Sequence, residues 1–506
     1  MSFQQGLSGL NGAAKSLDVI GNNIANASTV GFKGSQAQFA DVYANSLNGA
    51  GGNQAGIGVK VSQIAQQFTQ GNIEASNNPL DIAINGAGFF RTEVAGATQY
   101  SRNGQFSLDK EGFMVNAQGA KLTGFTANAS GKILAGSPTP LQINTGDLEP
   151  VETTRVDTEI NLDSSSKVPT VVPFNVNDPF SYNKQTSVDV YDSLGNSHVM
   201  STFYVKTSAG KWDVYVASDG VEINTQKAAA AAQLNPAAVT ARNNYQIAAT
   251  STPVGNVAAA AVAYAAAAGA AVAAAATAAG ATPAQVTAIT AAATSAGTTV
   301  GITPDQIDAA IANVTTVPGA RVGHLDFDTS GALSVALMAP QTLPLKIELP
   351  VFPATGSEPI IEIDLGFTGS TQYGSATSEK KTTQDGYTAG NLQRFSAGPD
   401  GIILGQYSNG QSQPLGQIVL ANFANPNGLS PLGNNAWAET STSGVPLIGT
   451  PTSGSFGVLQ SSAVENSNVD LTAELVNMIT AQRVYQANAQ TIKTQDSVLQ
   501  TLVNLR

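Results

Sequence analysis

Mostly apolar side chains at both ends of this chain recur at alternating steps of three and four. Toward the C-terminus Leu471, Leu475, Met478, Gln482, Tyr485, Ala489, Ile492, Asp496, Leu499 and Val503 keep that spacing, which sets them along one seam of an amphipathic helix suited to pairing. Ser467, Asn468 and Asp470 stand just ahead as N-cap candidates, and no Pro or Gly interrupts the run. At the other end Phe3, Leu7, Leu10, Ala14, Leu17, Gly21 and Ile24 repeat the pattern, predicting a helix over residues 2–27 that stops in the turn Ser28-Thr29-Val30-Gly31. Two such stripes are expected to pack on one another or on neighbouring subunits, although core helices of one globular domain give the same spacing.

Between the ends the period changes. Phe39, Val42, Tyr43 and Leu47 predict one more short helix, followed by a glycine-rich run over 49–58. That run lacks the Lys-Ser/Thr ending and the preceding apolar strand of a phosphate loop, so a linker is expected. From Val59 and Val61 onward the alternation is twofold, through Leu80, Ile82 and Ile84, then Phe106 and Leu108, then Phe113 and Val115. Asn85-Gly86, Asn103-Gly104, Gly112 and Gln118-Gly119 supply turns, and the result is an antiparallel β domain. Segments 416–423 and 454–459 have the same character and are expected to complete it from far along the chain.

A second β domain is expected from about residue 150, with strands over 187–191, 198–205 and 212–217, and with 331–335, 343–349 and 360–367 returning to it. Between these lies an alanine-dominated stretch, 227–319. Alanine is the strongest intrinsic helix former, and Asn235-Pro236, Thr282-Pro283 and Thr303-Pro304 read as helix starts. The latter two carry Gln285 and Gln306 at the position that completes a capping box. Residues 257–279 are long and uncharged enough to test as a membrane span, but alanine inserts poorly and the flanks lack basic anchors. A small helical insertion is expected instead.

The expected fold class is therefore multidomain α+β, mainly β, with nested antiparallel β domains, terminal helices paired as a coiled coil, and an Ala-rich helical insertion. The expected divisions are 1–30 with 467–506 for the terminal helices, 31–78 with 435–466 for a connecting region, 79–148 with 385–434 for an inner β domain, 149–226 with 320–384 for an outer one, and 227–319 for the insertion.

At 506 residues the chain should divide into several domains. A net charge of -12 leaves no basic surplus for nucleic acid or anionic lipid. Charged residues make up only 11%, and 50 glycines among many Asn, Ser and Thr suit a turn-rich, mildly polar β polymer. With no cysteine there is neither a disulfide nor a thiolate metal site. The first residues lack a basic cluster, an apolar run and a small-residue cleavage site, so no cleaved signal peptide is expected.

No catalytic constellation is legible. His198 and His324 are isolated in strand-like surroundings and are expected to be structural. Asp326, Asp328, Ser330 and Gly331 imitate the start of a calcium loop, but Leu337 stands where a bidentate Glu is needed, so a hairpin turn is expected. The acids are scattered, with no pair placed for acid/base work. Neither a cofactor nor a metal is expected.

Two terminal stretches carry a resemblance. GNNIANASTVGFKGS (21–35) and SNVDLTAELVNMITAQRVYQANAQTIKTQDSVLQTLVNLR (467–506) resemble the end signatures of the bacterial flagellar rod and hook axial proteins, and within them the hook subunits. LDIAINGAGFF (80–90) is similar to the same family. The motif positions are Asn22, Asn23, Asn26, Gly31, Phe32, Ser467, Asn468, Asp470, Gln482 and Arg483. The resemblance implies a non-enzymatic subunit that self-assembles into the tubular hook, the flexible universal joint passing torque from motor and rod to filament. It further implies terminal helices lining the export channel, with the inner β domain around them and the outer β domain outside. Implied partners are other copies of the chain, the distal rod protein, the hook cap, the hook-filament junction proteins and the type III export apparatus. The implied location is extracellular. A distal rod protein is the alternative within the family, and a surface adhesin or fimbrial subunit the alternative outside it.

Overall fold

The helical periods at the two ends and the capping signals of the Ala-rich stretch all become helices. The structure, a computed structural model, describes residues 2–42, 56, 58–128, 130–250 and 256–504. Among them are the α-helices α1 (Ser2–Ala25), α2 (Ile223–Leu234), α3 (Pro236–Thr250), α4 (Val257–Ala278), α5 (Pro283–Gly297), α6 (Pro304–Ala312) and α7 (Leu471–Asn504). The chain divides into two units, Met1–Gly146 with Asn391–Arg506, and Asp147–Gly390.

In the first unit α1 and α7 pack together, and α1 also lies against a hairpin of β1 (Ser35–Val42) and β2 (Gly58–Gln66). This hairpin corrects the helix expected around Phe39 and Val42. Exposure alternates along β1 and changes phase at a bulge between Gln38 and Phe39. A ladder to β2 from Ser35↔Gln66 to Val42↔Gly58 satisfies its backbone, whereas an isolated short helix must bear the whole nucleation cost. Tyr43 and Leu47 lie outside the described residues, as does the glycine-rich run except at Gly56 and Gly58.

The rest of this unit is a sheet closed by strands from both halves of the chain. Its main path runs Leu392–Ala397, Ile402–Tyr407, Ser412–Ile418, Lys121–Thr126, Phe89–Val94, Ala97–Ser101, Ala436–Ala438, Ser430–Gly433. Val458–Ser461 pairs with Ile82–Asn85. The alternating apolar residues of these strands meet in an aromatic core of Phe89, Tyr100, Phe423 and Trp437, edged by Phe68. The Trp437 indole N–H donates to Gln66 Oε1 at 2.5 Å, tying β2 to that core.

The second unit holds two five-stranded sheets over one apolar core containing Val156, Ile160, Trp212, Val214, Leu345 and Ile363. One is antiparallel, built from Lys184–Tyr191, Ser197–Ser208, Lys211–Ser218, Val221–Glu222 and Gly323–Asp326. The other is mixed, because Arg155–Asp163 runs parallel to Ile360–Gly366 and to Thr371–Tyr373. The strand expected over 331–335 is absent. Ala332 and Leu333 make single bridges, and the chain then turns, Leu337 N–H bonding to Ser334 O and Met338 N–H to Val335 O.

Within this unit α2 to α6 form a bundle around Tyr264, Val272, Ile289 and Ile307. Both predicted capping boxes are present, Thr282 with Gln285 and Thr303 with Gln306. α4 is apolar enough to span a membrane by composition, yet 44% of its apolar window is buried, and α2, α3, α5 and α6 all pack on it. Small side chains make that crowding possible: a Cβ at Gly269 would stand 2.4 Å from the Ala293 methyl. Arg242 reaches Asp305 and Asp308, and the Tyr264 hydroxyl donates to Asp308 Oδ1 at 2.5 Å. The two ends of the bundle meet at Glu222, whose carboxylate accepts from Asn224 and Thr225 at the start of α2 and from Ala320 at 3.2 Å.

Candidate assembly site

α1 and α7 meet through small residues. A Cβ at Gly6 would lie 3.1 Å from Ile492 Cγ1, and one at Gly9 would lie 2.6 Å from Asn488 Oδ1. Glycine inside a helix costs about 1 kcal/mol relative to alanine, so its gain here is the closeness it permits. Continuing along that face, Ala13, Ser16, Ile20 and Asn23 turn toward α7, and the buried Asn23 donates to Glu474 Oε1 at 3.0 Å. From α7, Glu474, Asn477, Ala481, Val484 and Asn488 border the same cleft. Apart from Ile492, the positions just named are each one residue earlier than the leucine-bearing seam, which rotates that seam by about 100° around each helix. Ile492 is the exception, touching α1 at Gly6.

Six of the predicted seam residues consequently stand open in the single chain. Phe3 and Leu7 are each 45% exposed, Leu471 48%, Leu475 42%, Tyr485 37% and Leu499 53%. Leu10, Leu17, Ile24, Met478 and Ile492 are half-buried, while the Val503 side chain lies outside the described residues. The run of small residues Gly6, Gly9, Ala13, Ser16 at steps of three and four was a signal in the sequence, masked by the stronger apolar stripe beside it.

The motif positions gather where α1 leaves and α7 enters. Asn26 donates to Asn22 Oδ1 at 2.7 Å, closing the last turn of α1, and Asn23 both donates to Ser35 O and accepts from Ser35 N–H. Gly31 has φ +72°, donates to Glu465 O, and would place a Cβ 2.5 Å from the backbone nitrogen of Asn103. Gly31→Ala is therefore expected to destabilise this unit by about 2–4 kcal/mol, from the left-handed backbone together with a clash that backbone cannot relieve. The midpoint of urea unfolding followed by Trp437 fluorescence measures it, and an unchanged midpoint would contradict the packing. Phe32 is half-buried. Asn468 accepts from Gly34 N–H at 2.8 Å and donates to Gln67 O at 2.6 Å, so one amide joins the start of α7 to both sides of the hairpin. Ser467 Oγ accepts from Val469 N–H, and Asp470 caps α7 by accepting from Thr472 and Ala473. Gln482 and Arg483 are exposed.

Beneath this junction lies a buried ion triad that sequence reasoning missed. Glu465 pairs through Oε1 with Lys33 at 2.6 Å and through Oε2 with Arg102 at 3.1 Å, all three almost fully enclosed. Lys33 also donates to Thr69 O, Arg102 to Gly86 O, and Gly71 N–H to Glu465. Burial pushes Lys33 and Arg102 below their usual ranges, opposed by the Glu465 charge. The three residues are far apart in sequence, and although Lys33 falls within the 21–35 stretch, only the fold brings it to Arg102 and Glu465.

Elsewhere the polar groups serve the fold. His198 Nδ1 lies 2.8 Å from Asp219, which raises its pKa, and its Nε2 lies 3.7 Å from Asp192. His324 exchanges backbone hydrogen bonds with the Gln341 side chain. Asp328 accepts from Ser330 and Ala332 in a tight turn with Gly331 at φ +82°.

Family models match the chain region by region. The family described as "Flagella basal body rod protein" matches residues 3–33, and "Flagellar hook protein FlgE/F/G D1 domain" matches 83–171. "Flagellar basal body protein FlaE D2 domain" matches 161–303 and 294–387, and "Flagellar basal body rod FlgEFG protein C-terminal" matches 460–505. Over 510 aligned residues covering 100% of both chains, this chain is 38% identical to the flagellar hook protein FlgE of Escherichia coli and 39% to that of Salmonella typhimurium. The Treponema pallidum hook protein is 29% identical over 530 aligned residues, covering 100% of this chain and 99% of its own. A crystal structure of Helicobacter pylori hook protein FlgE2 matches at TM-score 0.45 and 12% identity, over 78% of this chain and 100% of its own. Matched along its whole length and at both helical ends, the chain belongs to the flagellar hook protein family: it is a structural subunit of the extracellular flagellar hook, self-assembling within the flagellum, and not an enzyme.

Proposed function

We propose that the subunits join through the helix faces left open in the single chain, with Phe3, Leu7, Leu10, Leu17 and Ile24 of α1 and Leu471, Leu475, Met478, Tyr485, Leu499 and Val503 of α7 forming the seam between copies, while Ile492 serves the contact within the chain. The supporting observation is the exposure of the seam leucines on a helix pair that already has an internal contact of small residues. An apolar stripe of that length on a subunit known to polymerise is covered by its neighbours. On this reading the polymerising region is 1–30 with 467–506, the connecting region 31–78 with 435–466, the inner β domain 79–148 with 385–434, the outer one 149–226 with 320–384, and the insertion 227–319. The polymer acts as a universal joint carrying torque toward the filament, with the helices lining its channel. Its partners beyond itself are the distal rod protein, the hook cap, the hook-filament junction proteins and the export apparatus. Electron microscopy of the purified chain tests the joint directly: curved tubes are expected, and straight rods would indicate a rod subunit instead.

Two further outcomes follow. Limited proteolysis of a verified monomer is expected to trim both helical ends to a resistant β core, because most of α7 lies open until neighbours cover it. Protection of both ends in the monomer would contradict that. Replacing 227–319 by a short Gly/Ser linker is expected to preserve hooks in imaged cells. The cut leaves Ile223 in the β core, and Thr225 lies 3.3 Å from Val317 N–H, so the ends are already close. Loss of hooks from a folded, exported variant would place the insertion in the essential lattice.

A further inference from the structure

The cleft between α1, α7 and the β1–β2 hairpin encloses about 890 Å³, room for several side chains. Among the described residues Asp470 and Glu474 are the only charged side chains lining it. Glu474 gives one oxygen to Asn23, while its other oxygen, Oε2, is buried without a hydrogen-bond partner among the described residues. An unpaired buried carboxylate oxygen is a costly thing to leave in a fold. Neither Lys15, engaged with Asp18, nor Arg483 or Lys493 of α7 pairs with it among the described residues.

On the other side of the same helix the situation is reversed. Arg483 follows Glu474 by nine residues, which at about 100° per residue sets it half a turn away. It is exposed and has no acidic partner among the described residues. Val476 and Ile479, 58% and 52% exposed, share this back face. α7 thus has an acidic cleft on one side and an apolar stripe bearing an unpaired guanidinium on the other. Two different, complementary surfaces on one subunit make a head-to-tail contact, the type that propagates a helical polymer without closing on itself.

Resting on the self-assembly reading, we propose that the back face of α7 from one copy, with Val476, Ile479 and Arg483, docks into the cleft of the next copy, where Arg483 pairs with Glu474. This contact is separate from the leucine seam and fixes which neighbour each helix meets, as complementary charges fix register at interfaces. It makes α7 a bridge between successive subunits.

Charge reversal with mixing tests it. Arg483→Glu, at an exposed position, is expected to leave monomer circular dichroism unchanged and to raise the critical concentration for polymerisation by about tenfold or more. Glu474→Gln, which keeps an acceptor for Asn23, is expected to raise it less. Glu474→Arg alone should also fail to polymerise, while an equimolar mixture of Arg483→Glu and Glu474→Arg chains, or the double variant, should form tubes at near wild-type concentration. Wild-type assembly by Arg483→Glu, or no rescue in either the mixture or the double variant, would overturn the pairing. Failure of the unmodified chain to form any polymer would instead remove the assembly reading on which the pairing rests.

Discussion

Glu465→Ala is expected to lower the stability of the unit containing it by about 3–5 kcal/mol, because it strands two buried cations, Lys33 and Arg102, without a counter-charge. Gly71 N–H loses its acceptor in the same step. Trp437 lies in the aromatic core of that unit and Trp212 in the core of the other, so a Trp212→Phe background isolates the signal. Urea unfolding followed by Trp437 fluorescence is then the measurement. Lys33→Met should be milder, since Arg102 still neutralises Glu465 and the added apolar volume fills the site. A loss below about 1 kcal/mol for Glu465→Ala would mean that water reaches the triad.

Leu475→Asp is expected to spare the monomer and abolish the polymer. At 42% exposure the carboxylate remains solvated in the single chain, so melting temperature and β-sheet circular dichroism should hold. If neighbours cover that face, burying the unpaired charge costs several kcal/mol, a loss of about a hundredfold or more in the association constant. Leu7→Asp, at 45% exposure on α1, should act alike, and Leu475→Met should assemble nearly normally because it keeps volume and polarity. Sedimentation at a series of concentrations reads all three. Tubes of Leu475→Asp at wild-type concentration would remove the leucine face from the interface, whereas a collapsed β core would return these helices to the interior of one globular domain.

The insertion shows how far local chemistry reaches. Thr282-Pro283 with Gln285 and Thr303-Pro304 with Gln306 specify their helix starts through atoms three residues apart, and both boxes form as the sequence predicts. The same holds for the hairpin turns and the terminal helices, whose periods are properties of short windows. β1 is the counterexample: Phe39 and Val42 suit a helix or a strand, and the presence of β2 decided between them.

The candidate site divides along the same line. Sequence by itself determined that helices stand at both ends and that each carries a leucine stripe, and through resemblance it singled out Asn23, Gly31, Asn468 and Asp470. It did not determine why they matter: Asn23 and Asn468 act by reaching Ser35, Gly34 and Gln67, which only the fold sets beside them. Tertiary structure alone decided which faces of α1 and α7 meet. Two helices touch most closely where side chains are smallest, so Gly6 and Gly9 form the internal contact, Leu7 is left outside and Leu10 is only half-buried. Periodicity reports where apolar surface lies. What covers that surface depends on how near the backbones can come, and this becomes defined only when the second helix is in place.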